Sequence, residues 1–190
     1  MTSKLKTDVL ETVSGSGTIA LTNQLSGMTS ASMPSDSVIQ MKQFVFTGIT
    51  ATTAQDLTFV DTGVAVSITP TSASSKILVL VSMGKVGSNI ANNTTNLRIV
   101  RDSTNVLLGD AEGVRVLASA FTNSTWTQGG QSVSMNYLDS PNTTSATTYK
   151  VTYSGMTGNT HTINYNLNDN NSNAPSSRCA STIIVMEIKG

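Results

Sequence analysis

The sequence contains one cysteine, Cys179, and one histidine, His161. A single cysteine excludes an intramolecular disulfide. The pair excludes a zinc site built from several histidines, from four cysteines or from paired cysteines and histidines. A Ser-His-Asp triad would need His161 as its base. The surrounding "NTHTINYN" alternates like a strand, and no nucleophile elbow lies near it, so a surface or inter-strand histidine is expected. Cys179 leads into the apolar stretch "CASTIIVMEI" and reads as a small buried hydrophobe rather than a reactive thiol.

Charge is scarce as well. Only 12% of residues are charged, about half the usual share of roughly 25%. Eleven basic residues balance eleven acidic ones, for a net charge of +0, and no run of Lys or Arg occurs. Phosphate binding needs a net basic face, so nucleic acid is not expected as a partner. Electrostatic docking to anionic lipid is disfavoured for the same reason. The longest apolar run, Ile77 to Val81 in "KILVLVSM", is too short to span a membrane. The opening residues, "MTSKLKTDVLETV", show no apolar core of a signal peptide. A protein of this kind found outside the cell is expected to leave by another route, such as a particle released by lysis.

Chemistry-bearing constellations are missing too. The acidic residues Asp56, Asp61, Asp102, Asp110, Glu112, Asp139 and Asp169 are scattered. None is marked by spacing as a glycosidase acid or nucleophile, although such pairs can come from distant strands. The "GSG" near the N-terminus precedes a strand-like segment rather than a helix, so it makes no phosphate site. "NLNDNNSN", with Asn168, Asp169 and Asn170, faintly resembles a calcium loop. It has one carboxylate, no turn glycine and no bidentate Glu, and reads better as a polar hairpin loop. No cofactor and no catalytic residue are expected.

What the sequence does have is Ser, Thr, Asn and Gln in place of charge, and strand signals throughout. Val64 to Ile68 alternates apolar and polar. Ile77 to Val81 is a continuous apolar run, as in a strand buried on both faces. "NLRIVRDSTNVLLGD" reads as a hairpin, with strands Leu97–Val100 and Val106–Leu108 around a turn at Asp102–Asn105. Further strands are expected at Phe44–Thr47, Leu57–Val60, Val114–Ala118, Ser132–Tyr137, Thr148–Tyr153, Thr160–Tyr165 and Thr182–Ile188. Helix formers are few. Strands about ten residues apart with Gly, Asn, Asp or Pro between them predict an all-β, jelly-roll-like antiparallel sandwich.

The segment "LSGMTSASMPSDS" separates two regimes. Residues 1–33 form an extended N-terminal arm and residues 34–190 the sandwich. In "KLKTDVLETV" the apolar positions fit both a helical stripe and period two, and the "SGSG" that follows favours extended structure. The strand-like "TIALTNQL" has no partner nearby in sequence, so its backbone groups need another chain or a distant part of this one. Leu5, Val9, Ile19, Leu21 and Leu25 are the arm's candidate assembly residues, and Gly15 and Gly17 let the backbone turn into that contact. Trp126, in "AFTNSTWTQGGQS", lies in a loop-like region. It either stacks on a sugar ring or anchors a protein contact, with Asn168, Asp169 and Asn170 as companions, or it caps the open end of the sandwich or packs at a subunit seam.

The N-terminal "SKLKTDVLETVSGSGTIALTNQLSGM" resembles the leading segment of virion proteins of marine tailed bacteriophages, notably those infecting cyanobacteria. "FVDTGVAVSITPTSASSKILVLVSM", "LRIVRDSTNVLLGDAEG", "SVSMNYLDSPNTTSATTYKVTYS" and "STIIVMEI" resemble the β-rich domain that follows it in their tail-fibre-like proteins. The likeness covers most of the chain in the right order. It implies a jelly-roll-like, homotrimeric domain on a virion. The residues point to the same class: with no active-site constellation and an outlying strand, a non-enzymatic structural protein is expected, joined through its arm to other virion proteins and presenting a surface to a host glycan or protein. The chain lacks long shaft repeats between arm and head. That departure suits a short tip, a tail appendage or a capsid-surface decoration, and a plain carbohydrate-binding module is the alternative of a different class.

Overall fold

The computed structural model describes residues 32–127, 129–156, 158–165 and 177–190. The chain divides after Met33, and the unit Pro34–Gly190 is described by itself. The arm expectations, including Leu5, Val9, Ile19, Leu21 and Leu25 and the extended form of "KLKTDVLETV", lie outside the described residues, as do Asn168, Asp169 and Asn170.

The described residues form strands and no α-helix. In chain order they are β1 Val38–Phe46, β2 Thr50–Thr52, β3 Val60–Ile68, β4 Lys76–Ser88, β5 Asn93–Arg101, β6 Thr104–Val106, β7 Ala120–Ser124, β8 Gly130–Asp139, β9 Thr147–Gly155, β10 His161–Ile163 and β11 Ser181–Ile188. They make two sheets in which every strand pair is antiparallel. The fold is an all-β sandwich.

In the first sheet β4 is central. β8 follows one of its edges, while the other edge is shared end to end, with β11 beside Lys76–Ser82 and β10 beside Val86–Ser88. β1 lies outside β11, and β2 outside β10. In the second sheet β9 sits between β3 and β5, and the far edge of β5 is shared by β7 and β6.

Alternation builds the core. Successive side chains on a strand point to opposite faces. Ile77, Val79, Val81, Met83, Ile183 and Val185 of the first sheet therefore meet Val64, Ile68, Leu97, Ile99, Tyr149 and Val151 of the second, all buried. Each such side chain contributes roughly 1.5 to 3 kcal/mol of burial. Gly63 marks the irregularity in the β3 register between Asp61 and Ala65. Its φ of 89° and the Phe46 ring packed against its α-carbon leave no room for a side chain.

Several sequence expectations need correction. The run Ile77–Val81 is not buried on both faces. Ile77, Val79 and Val81 are buried, but Leu78 and Leu80 are only half-buried on the outer face. Leu57–Val60 is not a strand except for its last residue. A turn closed by Thr58 N–H donating to Gln55 O, with Asp56 at φ 53°, occupies it. Val114–Ala118 forms no strand either, and Val114 is fully exposed. Both stretches have strand-forming residues but no neighbouring strand to pair with, and β propensity acts only through packing. The strand at β7 hides in "AFTNS" because the residues it buries, Thr122 and Ser124, are polar. The hairpin after Leu97 is tighter than expected. Arg101 pairs with Thr104, leaving Asp102 and Ser103 as the turn, with Asp102 at φ 51°.

Candidate functional site

The buried ionisable groups come first, because catalysis would have to use them. Asp139, at the end of β8, accepts two hydrogen bonds from Arg101 Nη1, both 2.8 Å, and one from the Tyr149 hydroxyl at 2.6 Å. Arg101 ends β5 and Tyr149 lies on β9, so the cluster ties the two sheets together. Burial, then the bond to Asp139, holds the Tyr149 phenol well above the usual phenol range. Its own hydrogen bond to Asp139 raises the Arg101 guanidinium further.

Glu187 is wholly buried on the inner face of β11. Its Oε1 accepts from the Thr71 backbone N–H and hydroxyl, and its Oε2 from Gln40 Nε2, each at 2.7 Å. Burial alone would push this carboxyl up. The donors from Gln40 and Thr71 outweigh it and hold the group below its ordinary range. The carboxylate thereby pins the β3–β4 connection to the sandwich.

His161, the first residue of β10, is fully buried. Its Nδ1 shares a 2.7 Å hydrogen bond with the Thr95 hydroxyl of the opposite sheet. Its ring lies directly on Gly155, where no β-carbon would fit. Burial lowers its pKa. The inter-strand alternative expected from sequence is the one found, and the hydroxyl its ring meets is that of Thr95.

Asn164, which the sequence did not single out, makes several hydrogen bonds at once. It sits at φ 68° just after β10 and is fully buried. Its Nδ2 donates to the carbonyls of Phe46 and Gly48, at 3.1 and 3.0 Å, and its Oδ1 accepts from Ser181 at 2.6 Å. Its own N–H donates to Lys85 O, and its carbonyl accepts from Cys179 N–H. One side chain thus joins the β1–β2 turn, β10 and the start of β11. Cys179 is half-buried in the turn before β11 rather than in the core, a correction that follows from its place outside the strand.

These groups lock architecture. Of the scattered carboxylates, Asp61 pairs with Lys150 at the surface, and among the described residues no three His, Cys, Asp or Glu side chains converge.

The remaining candidate is the loop end of the sandwich beyond Ser88. Here the β7–β8 connection carries Trp126, 78% exposed. Its backbone carbonyl is held by the Ser124 hydroxyl at 2.8 Å and by Gly129 N–H at 2.9 Å. The turn is thus fixed while the indole stands in solvent, so Trp126 does not cap the sandwich within this chain. Ile90, also exposed, lies on the β4–β5 connection at the same end. An open groove lined by Ala51, Thr52, Thr53 and Thr160 lies where β2 meets β10. A presented aromatic face with hydroxyl-bearing residues on the same end suits stacking on a sugar ring or anchoring of a protein. Set against known proteins, the sequence matches no family model and no curated protein.

Proposed function

We propose that the chain is a non-enzymatic structural protein of a bacteriophage virion, a homotrimeric tail-fibre-like appendage that contacts the host surface. The observation that carries this reading is that Asp139, Glu187 and His161, the buried ionisable groups, are each spent on holding sheets or connections together. A molecule so built presents surfaces rather than chemistry. The resemblance of its segments to marine phage virion proteins supplies the particle. The strand order supports the jelly-roll reading, because the chain passes repeatedly from one sheet to the other between β3 and β10.

In this reading residues 1–33 attach the protein to other virion proteins. Leu5, Val9, Ile19, Leu21 and Leu25 supply burial, and backbone pairing offsets the cost of ordering a Ser/Gly-rich segment, about 1 to 2 kcal/mol per residue. Three arms on one trimer multiply weak contacts. The test is the protein's copy number on purified particles. Ile19→Asp with Leu21→Asp should leave the melting temperature nearly unchanged and abolish incorporation. Normal copy number in that variant places attachment elsewhere, and absence of the wild-type chain from particles overturns the reading. Labelling on intact particles separates a tail appendage from a capsid-surface decoration.

The exposure of Trp126 favours a second reading, a carbohydrate-binding module. A glycan array on wild type and Trp126→Ala decides it. Binding lost in the variant supports the module, and an array without hits removes it.

A further inference from the structure

We infer that copies of this chain associate through the outer face of the β1-β11-β4-β8 sheet. This deepens the assembly part of the function proposed above and rests on that part alone.

The strand register shows what that face carries. Met41 lies opposite Met186, Met186 opposite Leu78, and Leu78 opposite Leu138, so one row crosses all four strands without a polar side chain. The next row sets Ile184 and Leu80 between Gln43 and Asn136. Val38 and Ile188 extend the apolar surface at one end, and Val45 at the other. Met41, Val38, Leu138 and Val45 are 56, 49, 49 and 47% exposed. The outer face of the other sheet is different in kind. It carries Ser67 beside Thr148, Lys150 paired with Asp61, and Arg98 stacked 3.7 Å from the Phe59 ring.

An antiparallel sheet with one solvated face normally alternates apolar inside with polar outside. Here the alternation fails along a continuous stripe, whereas on the other sheet's outer face the exposed Phe121 stands beside Asn96. Four strands about 4.8 Å apart, each spanning about seven residues at 3.4 Å, give a footprint of roughly 20 by 24 Å. With side chains standing up from it, that footprint approaches the roughly 800 Å² of accessible surface that each partner gives to a stable interface.

Charge identifies the occupant. Lys76, opposite Ile188 at the end of the sheet, is the one charged residue in these rows. A partner with a charged surface would leave its ions buried and unpaired over the stripe. An anionic lipid surface would call for several basic residues, which the rows lack. A second copy brings the same neutral, apolar rows, so like meets like without repulsion. Met41 and Met186, being flexible, adapt to whatever crossing angle the symmetry sets.

The test uses the full chain at micromolar concentration, its mass read by light scattering and sedimentation. Wild type is expected to run as a homo-oligomer. Met41→Glu with Leu138→Glu, both at exposed positions, is expected to weaken association roughly 100-fold or more, since several like charges then face one another, while the β-type far-UV spectrum persists. Met41→Gln with Leu138→Asn serves the same readout should the charged variant not fold. A monomeric wild type overturns the inference. So does a variant pair that keeps the wild-type mass, or dissociation by Ile19→Asp with Leu21→Asp while the face variants remain assembled. A dimer sensitive to the face substitutions supports this surface and overturns the trimer. Presence or absence on particles, which tests the function proposed above, leaves the result untouched.

Discussion

The Tyr149 hydroxyl donates to Asp139 Oδ2 across 2.6 Å, and in doing so β9 of one sheet is bonded to β8 of the other. Arg101 closes the same carboxylate from β5. This charged tie between the two sheets lies deep enough for loss of a partner to be costly.

Tyr149→Phe removes one donor but leaves Asp139 with Arg101. It should cost about 1 to 2 kcal/mol. Asp139→Ala strands both the buried phenol and the guanidinium and should cost about 2 to 4 kcal/mol, the lower part of the range reflecting the partly exposed Arg101. Denaturant melts measure both. The phenol also holds its proton unusually tightly, so its contribution is full below the usual phenol pKa and fades as pH rises above it. Absorbance titration should show Tyr149 ionising only as the protein unfolds in alkali. Ionisation in the ordinary range would mean the bond to Asp139 is not kept.

On the acid side two windows are expected. His161, lowered by burial from its usual 6.5, stabilises the fold above about pH 6.5, and that stability is lost as pH falls below it, because the unfolded chain takes up the proton first. Glu187, held below its usual 4.5, adds stability above that value which is lost as pH falls further. Melting temperature should therefore fall in two stages. His161→Gln should lower stability at neutral pH and flatten the first stage. Gly155→Ala, whose β-carbon would occupy the place of the imidazole, should destabilise without affecting the second stage. A melt independent of pH between 7 and 5 in the wild type contradicts the assignment.

Asn164 offers a sharper test of backbone against side chain. Asn164→Ala loses three side-chain hydrogen bonds and must hold φ at 68°, which an L residue with a β-carbon resists; roughly 3 kcal/mol should be lost. Asn164→Gly loses the same bonds but tolerates that φ, and should recover about 1 kcal/mol of the difference. Equal losses in the two variants would show that backbone strain plays no part.

Chelators should not unfold the protein, since among the described residues no metal-binding cluster of His, Cys, Asp or Glu exists. Melts with and without EDTA should coincide. A drop of more than about 5 °C, on the order of 1 to 2 kcal/mol for a domain of this size, would reveal a structural ion.

The alternation of Val64 to Ile68 and the apolar runs at Ile77 and Ile183 made the strands legible, because period two survives in any sequence that must bury one face. What the sequence concealed was of two kinds. Thr122 and Ser124 of β7 are buried polar residues, so the strand they form carries no hydrophobic signature. Asn164, Glu187 and Asp139 matter because of partners brought from distant strands, such as Phe46, Thr71 and Tyr149, and no local pattern announces them. Leu78 and Leu80 failed in the opposite way. Their apolarity was plain, but whether it faces a core or a surface depends on what lies across the sheet. Trp126 was identifiable as a residue without a place in the core, and its exposure is what the structure adds.

β1 takes its strand partner from β11, with Val38 beside Ile188 and Phe46 beside Ser181. The first strand of the sandwich must therefore wait for the last one. During synthesis β1 leaves the ribosome with its backbone edge unpaired, and no amount of local folding can pair it until β11 has followed. Closure is thus a late event, dominated by the most distant pairing among the described strands and slow for that reason. In the interval the nascent chain is at its stickiest, so the yield of soluble protein should depend on chaperone capacity and growth temperature more steeply than the stability of the finished sandwich would suggest.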